Sequence, residues 1–277
     1  PPVLALQATA ATERFISPAL RELCAGAMLP HWWDSHEGVV AVSATLAMQH
    51  FCIIDGLAGA EVASAFRAAC ETRWHAGTLF QPATVTGPGG GTSGTRAATS
   101  RSDWLAWVDH TAAAGTAAAD APAEAAAVND LVSSLHLIVE CIDRLVRPLA
   151  AELAGGGEDV TRQRPQVARY GDGDAFERHC DNYCPGGGGG TDCNGRWLTA
   201  VYYTNAAWAD GDGGCLRIFQ PQVEEDEHGD GNGASACPDD DTLVDVAPLA
   251  DRLLLFHSDV RCPHAVLPVA PGSAARY

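Results

Sequence analysis

Between residues 165 and 277 the chain breaks into short β-branched and aromatic runs separated by turn residues, and this punctuation constrains its fold more than any other feature. Runs at about 165–170, 176–181, 196–204, 215–219, 243–247, 252–257, 263–268 and 274–277 are too short and too frequent for a helical domain. Many short strands of this kind predict a sandwich or jelly roll. The first half follows the other period. After an apolar strand, Phe51-Cys52-Ile53-Ile54, the residues Val62, Phe66 and Ala69 share one face of a helix over about 58–76, with Gly77 placed to end it. Leu131, Leu135, Ile138, Ile142 and Leu145 form one stripe of a long helix over about 123–153. Helices first and strands afterwards predicts an α+β domain, with the early helices packed on one sheet of the β core.

The remaining segments read as periphery. Residues 1–45, with a helix expected over about 12–27, carry no usable motif and read as an N-terminal extension to a main domain at 46–277. The Gly, Thr and Ser-rich stretch 82–100, the glycine run 185–190 and the acidic insertion 224–241 read as surface loops.

The net charge of -18, from 35 acidic residues against 17 basic ones, would repel a phosphate backbone, so no nucleic-acid partner is expected. It favours instead an extended, partly basic peptide. Every basic side chain is arginine. No run of about 18 apolar residues and no basic segment leading into an apolar one is visible, so no membrane partner is expected and the compartment is read as cytoplasmic and/or nuclear. Ten cysteines are scattered through a chain too large to need a disulfide framework, and they read as reduced thiols. Cys180, Cys184 and Cys193 lack the paired spacing of a structural zinc site.

Two histidines and an aspartate carry the chemistry. In an extended strand, residues two apart share a face, so His179 and Asp181 point together while Cys180 points away. His264, on another predicted strand 85 residues after His179, can complete a two-imidazole, one-carboxylate set. Such a set suits Fe(II) and leaves three adjacent coordination positions open, the arrangement non-haem oxygenases use.

The order of motifs around these residues carries a resemblance. Tyr170-Gly171-Asp172-Gly173-Asp174 precedes the triplet. Arg196-Trp197-Leu198-Thr199-Ala200-Val201-Tyr202-Tyr203-Thr204-Asn205 follows, then Gly213-Gly214-Cys215-Leu216-Arg217-Ile218-Phe219, Asp251-Arg252-Leu253-Leu254-Leu255-Phe256, Pro263-His264 and Arg276-Tyr277. The succession, over roughly 48–277, resembles the Fe(II)- and 2-oxoglutarate-dependent prolyl hydroxylases of the hypoxia-inducible-factor type. The resemblance implies a double-stranded β-helix, a form of jelly roll, with N-terminal supporting helices. It assigns His179, Asp181 and His264 to iron, and Arg276 to the distal carboxylate of 2-oxoglutarate. Tyr203 would donate to the same carboxylate, Tyr170 would lie near the cosubstrate, and Val201 and Leu216 would wall the pocket. Arg101, Asp103 and Arg196 would meet a peptide substrate at the mouth. Trp104 and Trp107 read as packing residues.

The implied reaction is C4 hydroxylation of a prolyl residue in an intracellular protein, with Fe(II) as metal, 2-oxoglutarate and O2 as cosubstrates, ascorbate as a reductant, and an oxygen-sensing role. The partner would be a prolyl-containing protein or peptide, and the enzyme a monomer. Eleven residues separate His264 from Arg276, a few more than is usual in the family, and the family's last strand would continue past Tyr277, so the resemblance implies a truncated C-terminal strand. Other readings of the same fold are a non-catalytic binding module and an oxygenase of free amino acids or nucleic acid.

Overall fold

The computed structural model describes residues 31–83, 100–109, 123–153, 160–182, 184, 194–221 and 241–277. The helix expected over 12–27 and the glycine run 185–190 lie outside these residues, as do all but the ends of the stretches 82–100 and 224–241. Three helices are described: α1 His36–Gln49, α2 Ala60–His75 and α3 Ala123–Leu153. The strands are β1 Phe51–Asp55, β2 Gln81–Pro82, β3 Trp104–Trp107, β4 Gln166–Arg169, β5 Phe176–His179, β6 Leu198–Tyr203, β7 Leu216–Phe219, β8 Thr242–Val246, β9 Arg252–His257 and β10 His264–Val266. They form three antiparallel sheets, ordered β1-β9-β6, β5-β10-β7-β8 and β2-β3-β4.

Strand β9 shows how the layers are built. All six of its residues are buried, which requires cover on both faces. Leu253 and Leu255 point toward Val42 and Leu46 of α1 and Leu145 and Leu149 of α3. Leu254 and Phe256 point the other way, into a cluster with Leu216 and Ile218 of β7 and Val244 and Val246 of β8. The alternation of side chains thus puts helices on one face of the three-stranded sheet and the four-stranded sheet on the other. Helix α2 packs Phe66, Ala69 and Cys70 against the α3 stripe of Leu131, Leu135 and Ile138.

Helix α1 begins inside the stretch read as an extension. Ser35 caps it by accepting from the Gly38 amide at 3.0 Å. A Cβ at Gly38 would lie 2.2 Å from the Trp32 carbonyl, so glycine there permits the close turn into the helix. Trp33, Val42 and Leu46 are fully buried in the core, which joins this segment to the domain.

The strand expected at 274–277 is not formed. Tyr170 and Arg276 exchange both backbone bonds in an isolated bridge, but the Tyr277 amide is taken by the Asn205 side chain at 3.0 Å. A side chain there replaces the ladder partner.

Arg252 is 1% exposed, and it donates Nε and Nη2 to the Asp55 carboxylate at 2.6 and 2.9 Å and Nη1 to the Ala247 carbonyl at 3.0 Å. The two residues face each other in the β1–β9 register. Arg252→Ala is expected to cost about 3 kcal/mol, since it strands a partly buried carboxylate and a carbonyl. Denaturant unfolding with an unchanged m-value measures it.

His257 supplies a pH dependence. It is 4% exposed, and burial, aided by the Arg261 guanidinium and the His50 ring against the opposing Asp259, pulls its pKa from 6.5 to about 4. The unfolded chain therefore takes up a proton below pH 6.5 that the folded chain refuses down to about pH 4. Stability present above pH 6.5 should fall across that window, by about 3 kcal/mol at the limit. Comparing melting at pH 7 and pH 5 for the native chain and His257→Asn should show a smaller drop in the variant.

Candidate metal centre

The fold joins two ligand-bearing strands directly. His264 at the start of β10 pairs with His179 at the end of β5, and their rings lie 4.3 Å apart. Asp181 follows His179 on the same side, and its Oδ1 is 3.8 Å from His179 Nε2. One donor atom from each of His179, Asp181 and His264 lies within 4.8 Å of the others. The three residues read as ligands from the sequence are therefore brought together.

Their surroundings fix which atoms are offered. His179 Nδ1 lies 2.8 Å from the Glu177 carbonyl, and His264 Nδ1 lies 3.0 Å from the Cys262 carbonyl. A carbonyl only accepts, so each Nδ1 carries the proton and each Nε2 keeps its lone pair, the tautomer a metal requires. Phe176 stacks on the His179 ring at 3.7 Å, and the Phe256 ring lies 4.7 Å from that of His264. Burial first, then the neighbouring His264 ring, lowers the His179 pKa to about 4, so the ring is neutral at neutral pH.

Asp181 is held as a carboxylate. Burial alone would raise its pKa, but the His264 ring, the Arg196 guanidinium and the Thr199 hydroxyl together hold it below the usual range. Thr199 Oγ1 donates to Oδ2 at 2.6 Å and lies 2.9 Å from Ser258 Oγ. The set of two neutral nitrogens and one anionic oxygen fits Fe(II) in type and charge.

Thr199 was quoted in the sequence motif without a role. It sits on β6 two and four residues before Val201 and Tyr203, so the strand period put it on the pocket face, and that signal was readable. Thr199→Val removes the donor at nearly constant shape. Metal affinity is expected to fall about tenfold or more with the fold intact, measured by anaerobic Fe(II) titration.

A cavity of about 1670 Å³ opens from these ligands and is lined also by Tyr170, Val201, Tyr203, Leu216 and Arg276. Tyr203 is 1% and Arg276 6% exposed. The Arg276 guanidinium lies 4.9 Å from the Tyr170 ring centre and 5.0 Å from that of Tyr203. Tyr203 Oη and Arg276 Nε are buried with no hydrogen-bond partner among the described residues. Two orphaned donors beside one another are costly unless an anion uses them. A carboxylate matches both, so the residues fit 2-oxoglutarate. Val201 and Leu216 line the cavity while packing with the inter-sheet core, and they are wall and core at once.

The mouth differs from expectation at Asp103. Asp103 is 1% exposed, and its carboxylate is taken by Arg101 through bonds of 2.7 and 2.6 Å, which leaves it no face for a peptide. Arg196 lines the cavity with its side chain 30% exposed, donating to Gln163 Oε1 at 2.6 Å and lying 3.3 Å from Asp181 Oδ1. Arg101 lines the cavity with its guanidinium 4.3 Å from the Phe176 ring centre. The thiol reading also changes at one position. Cys184 is disulfide-bonded, whereas Cys70, Cys141, Cys180, Cys215 and Cys262 are free thiols.

Residues 165–277 match the 2OG-Fe(II) oxygenase superfamily. Over this segment the chain is similar to the oxygenases of that superfamily. The domain's ligand set and cavity agree with the Fe(II), 2-oxoglutarate and O2 that this family uses. The human prolyl hydroxylase EGLN3 is 36% identical over 146 residues, which are 52% of this chain and 49% of that protein. Human Egl nine homolog 1 is 35% identical over 146 residues, 52% of this chain and 28% of that protein. The chain thus spans about half the length of EGLN3 and less of the second relative. Among solved structures, a Trichoplax adhaerens prolyl hydroxylase in complex with a hypoxia inducible factor oxygen degradation domain peptide fragment has a TM-score of 0.59 at 22% identity, covering 86% of this chain and 85% of that chain. A Pseudomonas putida prolyl-4-hydroxylase has a TM-score of 0.54 at 24% identity, covering 86% and 94%. At these identities the likeness is one of fold. No helix among the described residues is long and apolar enough to cross a membrane.

Proposed function

We propose that this chain hydroxylates a prolyl residue of a protein at C4, with conversion of 2-oxoglutarate and O2 to succinate and CO2. The observation that carries the reading is the pairing of the His179, Asp181, His264 cluster with the unpartnered Tyr203 and Arg276 donors in one cavity. Over 146 residues the chain is about a third identical to prolyl hydroxylases. In this reading His179, Asp181 and His264 hold Fe(II). Arg276 clamps the distal carboxylate of 2-oxoglutarate through parallel hydrogen bonds, and Tyr203 donates a further one. Bound Fe(II) with 2-oxoglutarate supplies the activation of O2 and the oxidising power. The protein's own share is positional: Tyr170, Val201 and Leu216 shape the pocket and exclude water, while Thr199 orients Asp181.

The two sheets with the ligands between them support a double-stranded β-helix core. Prolyl hydroxylase relatives support a protein substrate over a nucleic acid. An oxygen-sensing role is supported by relatives of this kind, among them a hypoxia-inducible factor prolyl hydroxylase of Caenorhabditis elegans. The test is succinate release together with mass spectrometry of prolyl peptides. A gain of one oxygen on proline is the expected result; release that rises equally with free proline would move the substrate to amino acids, and none with any substrate would leave a binding module.

A further inference from the structure

We infer that the peptide accepted by this site is acidic, and that Arg147, Arg162 and Arg164 form the rim that selects it. The inference rests on the hydroxylase reading above and reverses the partly basic peptide that net charge alone suggests. Among the described residues, six of the chain's 17 arginines line the cavity, against two carboxylates, Asp143 and Asp181. Arg276 lies deep, Arg101 is neutralised by Asp103, and Arg196 leans on Asp181. Of the other three, two share a single carboxylate and the third has none. Asp143 receives Arg162 Nε at 3.1 Å and Arg147 Nη2 at 3.4 Å. Arg164 donates only to the Trp107 carbonyl, at 3.1 Å, among the described residues. The side chains of Arg147 and Arg162 remain 75% and 40% exposed.

Arg162 spends only its Nε on Asp143, so its planar outer edge is presented to solvent, where it can take a carboxylate in two parallel bonds. The chain's overall charge of -18 opposes an acidic ligand at long range, but at physiological salt that repulsion is screened beyond about 8 Å while contacts at the rim are not. Trp107 and Val160, 49% and 41% exposed, stand beside these arginines on the cavity wall. A ligand with carboxylates on either side of an apolar residue matches this mixture of exposed guanidinium and exposed apolar surface.

The test uses one prolyl peptide in three versions, with its flanking charged positions all Asp and Glu, all Asn and Gln, or all Lys and Arg. Binding to the full chain loaded anaerobically with Fe(II) and 2-oxoglutarate is read by fluorescence anisotropy, separately from turnover. The acidic version should bind about five-fold or more tighter than the neutral one, and the preference should shrink as salt rises. The double variant Arg162→Gln, Arg164→Gln should remove most of it. Equal or tighter binding of the basic peptide overturns the inference, as does a preference that survives both the double variant and high salt. A double variant that raises only the KM for 2-oxoglutarate would show that the rim steers the cosubstrate, and the peptide inference would fall. Because binding is scored without chemistry, an acidic preference with no proline oxidation would sink the hydroxylase reading while leaving the rim in place.

Discussion

Asp181→Ala is expected to abolish 2-oxoglutarate turnover, with a loss of about 10³-fold or more, the several kcal/mol that a bound metal contributes. The variant leaves two neutral imidazoles to bind a dication. It also leaves the Arg196 guanidinium, 3.3 Å from the lost carboxylate oxygen, as an uncompensated positive charge at the same place. Both changes repel Fe(II), and the second makes the aspartate harder to replace than either histidine. Excess metal should therefore rescue His264→Ala more readily than Asp181→Ala. Steady-state succinate release against Fe(II) concentration measures this, and circular dichroism establishes that the variant is folded. Turnover by Asp181→Ala within tenfold of the native chain would remove the aspartate from the ligand set.

Arg276→Leu should raise the KM for 2-oxoglutarate by about 100-fold or more, because the variant removes the charged partner of a buried carboxylate. Arg276 has no other ion pair among the described residues, and its Nε is unpartnered, so the loss falls on the ligand more than on the fold. Arg276→Lys should recover only part, since an ammonium cannot reproduce the planar two-bond geometry. Fe(II) affinity should hold in both variants, which separates a cosubstrate clamp from a general collapse of the pocket. Unchanged KM in Arg276→Leu would place the distal carboxylate elsewhere.

How much of this was legible before the coordinates depended on the range of the interaction. The spacing of His179 and Asp181 and the order of strands after residue 165 are local, and the sequence carried them directly. The long stripe of α3 was equally plain, and Leu131, Leu135, Ile138 and Leu145 are all buried. Helix α1 was not. Its run Val39-Val40-Ala41-Val42 has no helical alternation, and only the core shows that Val42 is buried while Val40 is 44% exposed. Asp103 was placed at the mouth because composition assigns a charged residue to the surface by default. Asp103 is buried with its carboxylate taken by Arg101, a pairing that composition does not reveal. The end of the chain shows the same limit. Arg276 bonds with Tyr170, 106 residues earlier, while Asn205 supplies the partner that local pattern assigned to a strand. The arginine rim was hidden for another reason: a net charge is a sum, and its sign says nothing about where 17 guanidinium groups collect.

The central claim is that one ferrous ion and 2-oxoglutarate sit together on His179, Asp181, His264 and Arg276. Anaerobic addition of 2-oxoglutarate to the Fe(II)-loaded chain, followed in the visible spectrum, tests it most directly. The account predicts a weak charge-transfer band that saturates at one equivalent, is missing in Asp181→Ala, and needs far more 2-oxoglutarate in Arg276→Leu. A folded chain that binds Fe(II) but develops no band, or a band indifferent to both substitutions, would contradict it.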